Sequence, residues 1–410
     1  MGGQLDRRAG CQIGSAENRG RRLRDAGLDV RNAASVTSDL QQAFVGLLQC
    51  SVVTRDACPQ LWPLVFAHRS TLADWFVNRL GYRLLLTESA ARLYRLPTDA
   101  KVHAPRPTDM PGRRALILAV LTAAAAEDAE DVTSTQELSD RVRVLTDREQ
   151  TGVTPYDPDR YTERVLFVRG LQVLVDLGGL RPLGVATTDQ NDDWARQRNK
   201  VGDAFDVRRE LLLRMIDPVS LNAALDSAGG QEAESPRFGV LRRLLELPVC
   251  YFADLSDDER AYLTNQRRRL LSWCEEMTGW TAEERAEGIA LVVTEDKHTD
   301  LPFPRLRAAD FCTLLILDEL LGDIGTGKPF GRDRIELAAD DIADRYPTAM
   351  TAGTTVQGAM AAGALETLAA LDLLRPAETP GEFHLTPAAA RYRGPAVQET
   401  TDRSDGGTDD

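Results

Sequence analysis

The feature that most constrains this chain is an internal similarity between its two halves. A helical pattern around Trp75 that ends at Gly81 reappears around Trp273 and ends at Gly279, an offset of 198 positions (273 − 75). Further along each half, leucines spaced by three lead into Leu-Arg-Pro, at 180–182 and at 374–376, an offset of 194 (374 − 180). Two nearly equal offsets with the same order of patterns predict a duplicated unit of about 200 residues.

Each copy continues with three helical patterns and then two short strands. In the first copy we expect helices at 114–126, 134–145 and 158–175 and strands at 180–185 and 204–207, with a polar loop at 186–203. In the second we expect helices at 309–321, 338–346 and 354–371 and strands at 373–375 and 382–385. Ser134-x-x-Glu137 and Thr354-x-x-Gln357 are capping boxes. Three helices and a hairpin wing form the winged-helix plan. The expected fold is therefore mostly α with small β-hairpins, an α+β arrangement of tandem winged-helix domains from an internal duplication.

The predicted domain boundaries follow these patterns. They are a disordered leader at 1–36, an N-terminal unit at 37–207 with winged-helix domain 1 at about 112–207, a helical connector at 208–256, a C-terminal unit at 257–393 with winged-helix domain 2 at about 306–393, and a disordered acidic tail at 394–410.

Charge and cysteine usage narrow the class of protein. A net charge of -14 argues against coating nucleic acid by bulk charge, although a local basic patch stays open. The six cysteines and four histidines show no zinc spacing, so we expect no metal and no cofactor. No apolar run is long enough to span a membrane, and the start lacks the apolar core of a secretory signal. These features favour a cytoplasmic protein with reduced thiols.

Motifs that could carry a reaction are weak. The stretch from Gly322 to Pro329 approaches a nucleotide-binding Walker A loop, but Pro329 replaces the hydroxyl that would hold magnesium. A simple glycine-rich loop is the better interpretation. No Gly-x-Ser-x-Gly motif is present. We therefore predict no catalytic residues and no enzyme activity, with a site assembled only in space as the alternative.

Arginines of the first winged-helix domain are candidates for contacts with DNA phosphates, because guanidinium groups stay charged and match phosphate geometry. The candidates are Arg113, Arg114, Arg141, Arg160, Arg164 and Arg169. The alternative is an ordinary salt-bridged surface, since Glu137 and Glu163 are interleaved with them.

The third helix of the second copy differs, because between Thr354 and Leu371 it carries Glu366 and no cation. A helix that is apolar on every face is buried in its own domain or against a partner. We expect Met360, Leu365 and Leu368 to form a protein interface.

Several stretches of the chain resemble a known family. They are Asp74 to Phe76, Leu93 to Pro97, Arg113 to Leu116 and Leu174 to Leu180. These stretches, within about 37–393, are similar to MukE-like subunits of Wadjet anti-plasmid systems, which are kleisin-interacting tandem winged-helix (KITE) proteins.

The resemblance implies a homodimer that binds a kleisin subunit and, through it, an SMC-like ATPase encoded beside it. Such a complex would act on plasmid DNA, which a separate nuclease subunit would cut, and it would need no membrane. The alternative from the fold alone is a winged-helix transcriptional regulator that binds one DNA sequence.

Overall fold

The computed structural model describes residues 28–394 except 97–110, 148–151, 185–187, 198–200, 220, 223–224, 226–234, 294–297, 300 and 348–357. The predicted leader up to residue 27, the Thr354 capping box and the tail from residue 395 lie outside the described residues.

Helices dominate the described chain. They are α1 (Leu28–Gln49), α2 (Leu61–Ala67), α3 (Arg69–Leu80), α4 (Arg113–Glu127), α5 (Thr135–Thr146), α6 (Tyr161–Asp176), α7 (Thr188–Arg196), α8 (Arg209–Leu213), α9 (Pro236–Glu246), α10 (Asp257–Thr278), α11 (Ala308–Asp323), α12 (Arg332–Arg345) and α13 (Ala359–Ala370). Two 3-10 turns span Phe252–Asp254 and Pro387–Tyr392.

The strands are short. They are β1 (Val52–Thr54), β2 (Arg83–Leu86), β3 (Ala90–Tyr94), β4 (Val132–Ser134), β5 (Leu180–Pro182), β6 (Ala204–Val207), β7 (Cys250–Tyr251), β8 (Thr281–Glu284), β9 (Gly288–Val292), β10 (Pro329–Gly331), β11 (Leu374–Pro376) and β12 (Glu382–Leu385).

The described strands form four antiparallel sheets with one repeated topology. Their orders are β1-β3-β2, β4-β6-β5, β7-β9-β8 and β10-β12-β11, so the last strand in sequence always lies in the middle. The mostly α fold with small β-hairpins is thereby confirmed. The order of the strands is the same in both halves, as the sequence offsets predict, whereas α7 between β5 and β6 has no counterpart between β11 and β12.

The first sheet of the N-terminal half and the first sheet of the C-terminal half pack around one common hydrophobic core. We call this part of the structure, residues 28–96 and 236–293, the central module. Its buried side chains come from both halves, including Phe44, Trp75, Leu244 and Cys274. The predicted connector at 208–256 is therefore wrong in part, because α9 and β7 belong to this module. The predicted leader is also too long, because α1 begins at Leu28. Amphipathic helices gain stability from burial, wherever in the chain the partner lies.

Helices of the two halves pack on one another within the central module. α1 of the first half packs on α10 of the second, and α9 of the second packs on α3 of the first. The guanidinium of Arg242 in α9 donates to the carbonyl of Leu80 at 2.8 and 2.6 Å. At the equivalent place, the Gln41 amide in α1 donates to the carbonyl of Glu276 at 2.9 Å. Each donor satisfies a carbonyl at a helix end that lacks an intrahelical partner.

The first winged-helix domain (residues 113–213) consists of α4, β4, α5, α6, β5 and β6 in chain order. Ser134 caps α5 by accepting from the Glu137 amide at 3.2 Å, but the Glu137 carboxylate accepts from the Thr133 hydroxyl. The predicted polar loop at 186–203 is instead interrupted by α7, whose Trp194 is fully buried against Phe167. A single large ring in a polar segment is enough to dock it, because an aromatic side chain buries so much area.

The second winged-helix domain (residues 308–393) repeats this plan with α11, β10, α12, α13, β11 and β12. Both domains contain a strand before the second helix, β4 or β10, that the sequence patterns did not reveal. Each pairs with the last wing strand. The described chain is thus a central module flanked by two winged-helix domains, each with its own core.

Candidate DNA and protein interfaces

Three of the six candidate arginines are held by protein groups. Arg164 is only 7% exposed and donates to the carbonyls of Ala195, at 2.7 Å, and Pro158, at 2.8 Å. The prediction that it contacts DNA is therefore wrong. Its position in α6 points into the domain, where it ties the start of that helix to the end of α7. A buried guanidinium needs such partners because desolvation is costly.

Arg114 and Arg141 are partly exposed but neutralised. Arg114 forms an ion pair with Glu163 at 2.6 Å and donates to the carbonyl of Thr154 at 3.0 Å. Arg141 pairs with Glu137 at 2.9 Å and donates to the carbonyl of Asp128 at 3.1 Å. The alternative of a salt-bridged surface describes both arginines better than a phosphate site does.

The remaining three candidates lie on the surface. Arg113 is at the start of α4, Arg160 precedes α6 and Arg169 lies in its second half; all three are exposed. Arg160 forms an ion pair with Asp157 at 3.2 Å, yet its side chain stays 75% exposed. The structure therefore leaves three separate exposed cations from the predicted group, and their contact with DNA stays a prediction.

The three candidate interface residues of α13 face their own domain. Met360 and Leu368 are buried in the core of the second winged-helix domain, and Leu365 packs against the same core. The prediction that they form a protein interface is therefore wrong, because α11 and β11 already cover this side of α13. The exposed positions of the helix are small or acidic: Ala362, Gly363, Glu366 and Ala369.

The glycine-rich stretch after α11 lacks the context of a nucleotide-binding loop. The helix α11 precedes it and the strand β10 follows it, whereas a Walker A loop joins a strand to a helix. Gly325 and Gly327 adopt positive φ values of 80° and 74°, which L side chains rarely adopt. The Gly327 amide donates to the carbonyl of Leu385, so the stretch is the connection into the wing sheet.

A small cleft lies between the central module and the second winged-helix domain. It encloses about 310 Å³ and is lined by Tyr251, Glu283, Arg285 and Arg391, among others. Glu283 pairs with Arg285 at 2.7 Å and with Arg391 at 2.8 Å. Among the described residues, no three His, Cys, Asp or Glu side chains are grouped as metal ligands. The pair between Glu283 and Arg391 thus joins the central module to the second winged-helix domain, and Arg285 binds the same carboxylate from within the module.

Equivalent ion pairs attach both winged-helix domains to the central module, and the sequence patterns did not single them out. Arg181, in the first Leu-Arg-Pro, contacts Asp56 at 3.5 Å, and Arg375, in the second, contacts Asp254 at 3.0 Å. Each aspartate lies just after the first strand of its half. Both pairs keep the offsets of the duplication, which is the signal that could have found them.

The attachment through Arg375 and Asp254 is the stronger of the two. Arg375 also bonds to Asp372 at 2.6 and 2.7 Å, and its side chain is 14% exposed. Burial opposes the charge of Arg375, but its hydrogen bonds to Asp372 and Asp254 outweigh burial and raise the pKa of the guanidinium. Arg181 is 50% exposed, and Asp56 is shared with Arg208, at 2.7 Å.

A second connection joins the first winged-helix domain to the central module. The segment after α8 lies against the central strand β3 and the edge strand β2, where Tyr94 donates its hydroxyl to the carbonyl of Arg214 at 2.6 Å. Arg92 donates to the carbonyl of Met215 at 2.6 Å, and Arg83 pairs with buried Asp217 at 2.6 Å. Both winged-helix domains are therefore fixed to the module by charged and hydrogen-bonded contacts.

One family model matches most of the chain and spans both halves. The chain belongs to the family described as "Protein of unknown function (DUF2398)", which matches residues 45–395. No curated protein matches the chain. In the described part of the chain, no helix combines the length and the apolar character needed to cross a bilayer.

Proposed function

We propose that this chain is a non-catalytic, MukE-like KITE subunit of an SMC–kleisin complex that acts on plasmid DNA in antiplasmid defence. In this role it binds the kleisin and lies next to DNA in the cytoplasm, as a homodimer, while a separate nuclease subunit cuts. The observation that carries the proposal is the pair of winged-helix domains tied by equivalent ion pairs to one shared module. Domains that are fixed to one module in this way suit a rigid scaffold better than a protein that recognises a DNA sequence.

The inward arginine of α6 gives further support. In helix-turn-helix proteins the third helix places side chains on base edges in the major groove. Here the Arg164 guanidinium is hydrogen-bonded inside the domain, and α13 exposes no cation in its described residues. The alternative, a transcriptional regulator, would have to rely on Arg160 and Arg169 for exposed cations at the third helix of the first domain.

Co-purification tests the proposal. The tagged chain is co-expressed with a kleisin and an SMC-like ATPase, which the proposal expects to be encoded beside it, and a kleisin and ATPase from an unrelated system serve as the control. We expect a stable complex with the matched partners that survives size-exclusion chromatography. A chain that elutes alone while the kleisin and ATPase bind one another would overturn the proposal. A sequence selection on random duplex DNA tests the regulator, which requires roughly 10³-fold specificity.

A further inference from the structure

An arginine cluster lies on the central module where α3, α9 and α10 meet. Arg79 is near the end of α3, Arg237 near the start of α9 and Arg269 in the middle of α10. The guanidinium carbon of Arg79 lies 4.2 Å from the ring centre of Trp273, and that of Arg269 lies 4.5 Å from the same ring. Arg237 lies 4.7 Å from the ring of Phe238.

The cluster carries a positive charge that nearby protein groups compensate only in part. Burial lowers the pKa of Arg79, and Arg269 and Arg237 lower it further, whereas Glu276 acts in the opposite direction. The Nε atoms of Arg79 and Arg237 are buried without a hydrogen-bond partner in the described part of the chain. Aromatic rings contact all three guanidinium groups, and Glu276 compensates part of the positive charge at Arg79.

The neighbouring arginine shows the usual surface arrangement. Arg267, on the same helix as Arg269, forms an ion pair with Glu284 at 3.1 Å. Bringing three like charges together costs free energy unless an anion compensates them. In a chain of net charge -14, a local positive cluster also attracts polyanions to one place.

We propose that Arg79, Arg237 and Arg269 form a binding site for the phosphate backbone of nucleic acid, with the Trp273 ring orienting two of the three guanidinium groups. Arginine suits this ligand because its planar fork matches phosphate oxygens. The site lies outside both winged-helix domains, so it needs neither third helix. The choice of nucleic acid over an acidic peptide rests on the proposed function, which places DNA beside the chain.

The test uses the full chain and fluorescence anisotropy of a labelled 30-base-pair duplex, a single strand of equal length and a polyglutamate peptide. Arg237→Gln with Arg269→Gln removes two cations from the cluster and leaves the less exposed Arg79 in place. The matched control is Arg267→Gln with Arg285→Gln, which removes two cations that are paired with Glu284 and Glu283. Circular dichroism melting confirms that each variant is folded.

We expect duplex binding that weakens with salt. The slope of log K against log salt should fall by about 2 in the cluster variant, one unit per lost phosphate contact, with a Kd raised about tenfold at low salt. The control should keep the slope of the unchanged protein. The single strand reports whether the duplex form is needed.

Three results would overturn the site: no duplex binding at low salt, a cluster variant equal to its control, or tighter binding of polyglutamate than of either nucleic acid. Co-purification with the kleisin is measured on the same variants. If the cluster variant loses DNA binding but still co-purifies with the kleisin, both the site and the proposed function are supported. If the unchanged chain co-purifies with the kleisin but binds no DNA, the site is excluded and the proposed function stands.

Discussion

Arg375 donates two hydrogen bonds to the carboxylate of Asp254, at 3.1 and 3.0 Å, and so fastens the wing of the second winged-helix domain to the central module. The equivalent contact in the first half, between Arg181 and Asp56, is longer and more exposed. The duplication therefore kept the attachment in both halves but strengthened it in one.

The two attachments should differ in their contribution to stability. Arg375→Ala leaves two aspartates without their cation in a partly buried setting, so we expect a loss of about 3 kcal/mol in the free energy of unfolding. Arg181→Ala, the matched control, should cost about 1 kcal/mol or less, because exposed ion pairs are weak. Urea denaturation monitored by tryptophan fluorescence measures both. Equal losses would contradict the asymmetry.

Gly170 marks the closest approach of α6 to α4. A Cβ there would lie 3.0 Å from the Ala115 carbonyl oxygen and from the Ala119 amide nitrogen. Because both atoms belong to a helix backbone, Gly170→Ala should destabilise the domain by about 1–3 kcal/mol. Gly363 in α13 has open space around it, so Gly363→Ala should stabilise by up to about 1 kcal/mol through helix propensity. Thermal melting of the two variants would show opposite shifts; a shared direction would argue against close helix packing at Gly170.

Trp194 should be essential to the first winged-helix domain. Its indole Nε1 donates to Gln136 at 2.8 Å and its ring packs on Phe167. Trp194→Ala should cost about 3–5 kcal/mol, the usual range for a large buried ring. Asp192→Ala, on the exposed side of the same helix, should stay within about 0.5 kcal/mol. Chemical denaturation compares them, and a small effect at Trp194 would mean that α7 is not docked in solution.

Two buried thiols give the central module a pH dependence. Burial raises the pKa of Cys250 and that of Cys274 to about 12 from the ordinary 9.0. A raised pKa means that the folded state holds the proton more tightly, so this stability is present below pH 9 and is lost as the pH rises towards 12. We expect Cys250→Ala with Cys274→Ala to show a shallower loss of stability between these pH values. Titration of the unfolding midpoint measures it, and identical alkaline profiles would refute it.

Labelling with a thiol reagent at neutral pH provides a second measurement of the same burial. Cys250 and Cys274 should stay unmodified in the folded protein and react when guanidinium unfolds it, because the reactive species is the thiolate. Rapid modification of either thiol in the folded protein would be inconsistent with a closed core.

The sequence offsets anticipated a large part of this fold for local reasons. Gly81 and Gly279 adopt φ values of 68° and 72° and end their helices as predicted, because glycine adopts this conformation without strain. The strands of the second wing follow in the same way from the turn that contains Pro380 and Gly381. Such features depend on a few neighbouring residues, which a linear pattern contains.

The structural features that the sequence patterns did not predict depend on partners that are distant in the chain. Nothing local to Arg164 shows that the Ala195 carbonyl lies beside it, and nothing local to α9 shows that it packs on α3. Met360 and Leu368 lie in the core of their own domain and not at the predicted protein interface, because an apolar helix shows the same pattern in either place. The cluster of Arg79, Arg237 and Arg269 likewise exists only after three helices meet.

Helix packing between the two halves sets an order for folding during synthesis. When Leu80 is joined to the growing chain, the codon for the arginine that will satisfy its carbonyl is still 162 codons away (242 − 80). The first winged-helix domain is local and can close while translation continues, whereas the half-built central module must wait with its apolar surface uncovered. A chaperone or a slow stretch of translation near codon 240 would therefore affect the yield of this protein more than one placed near its end.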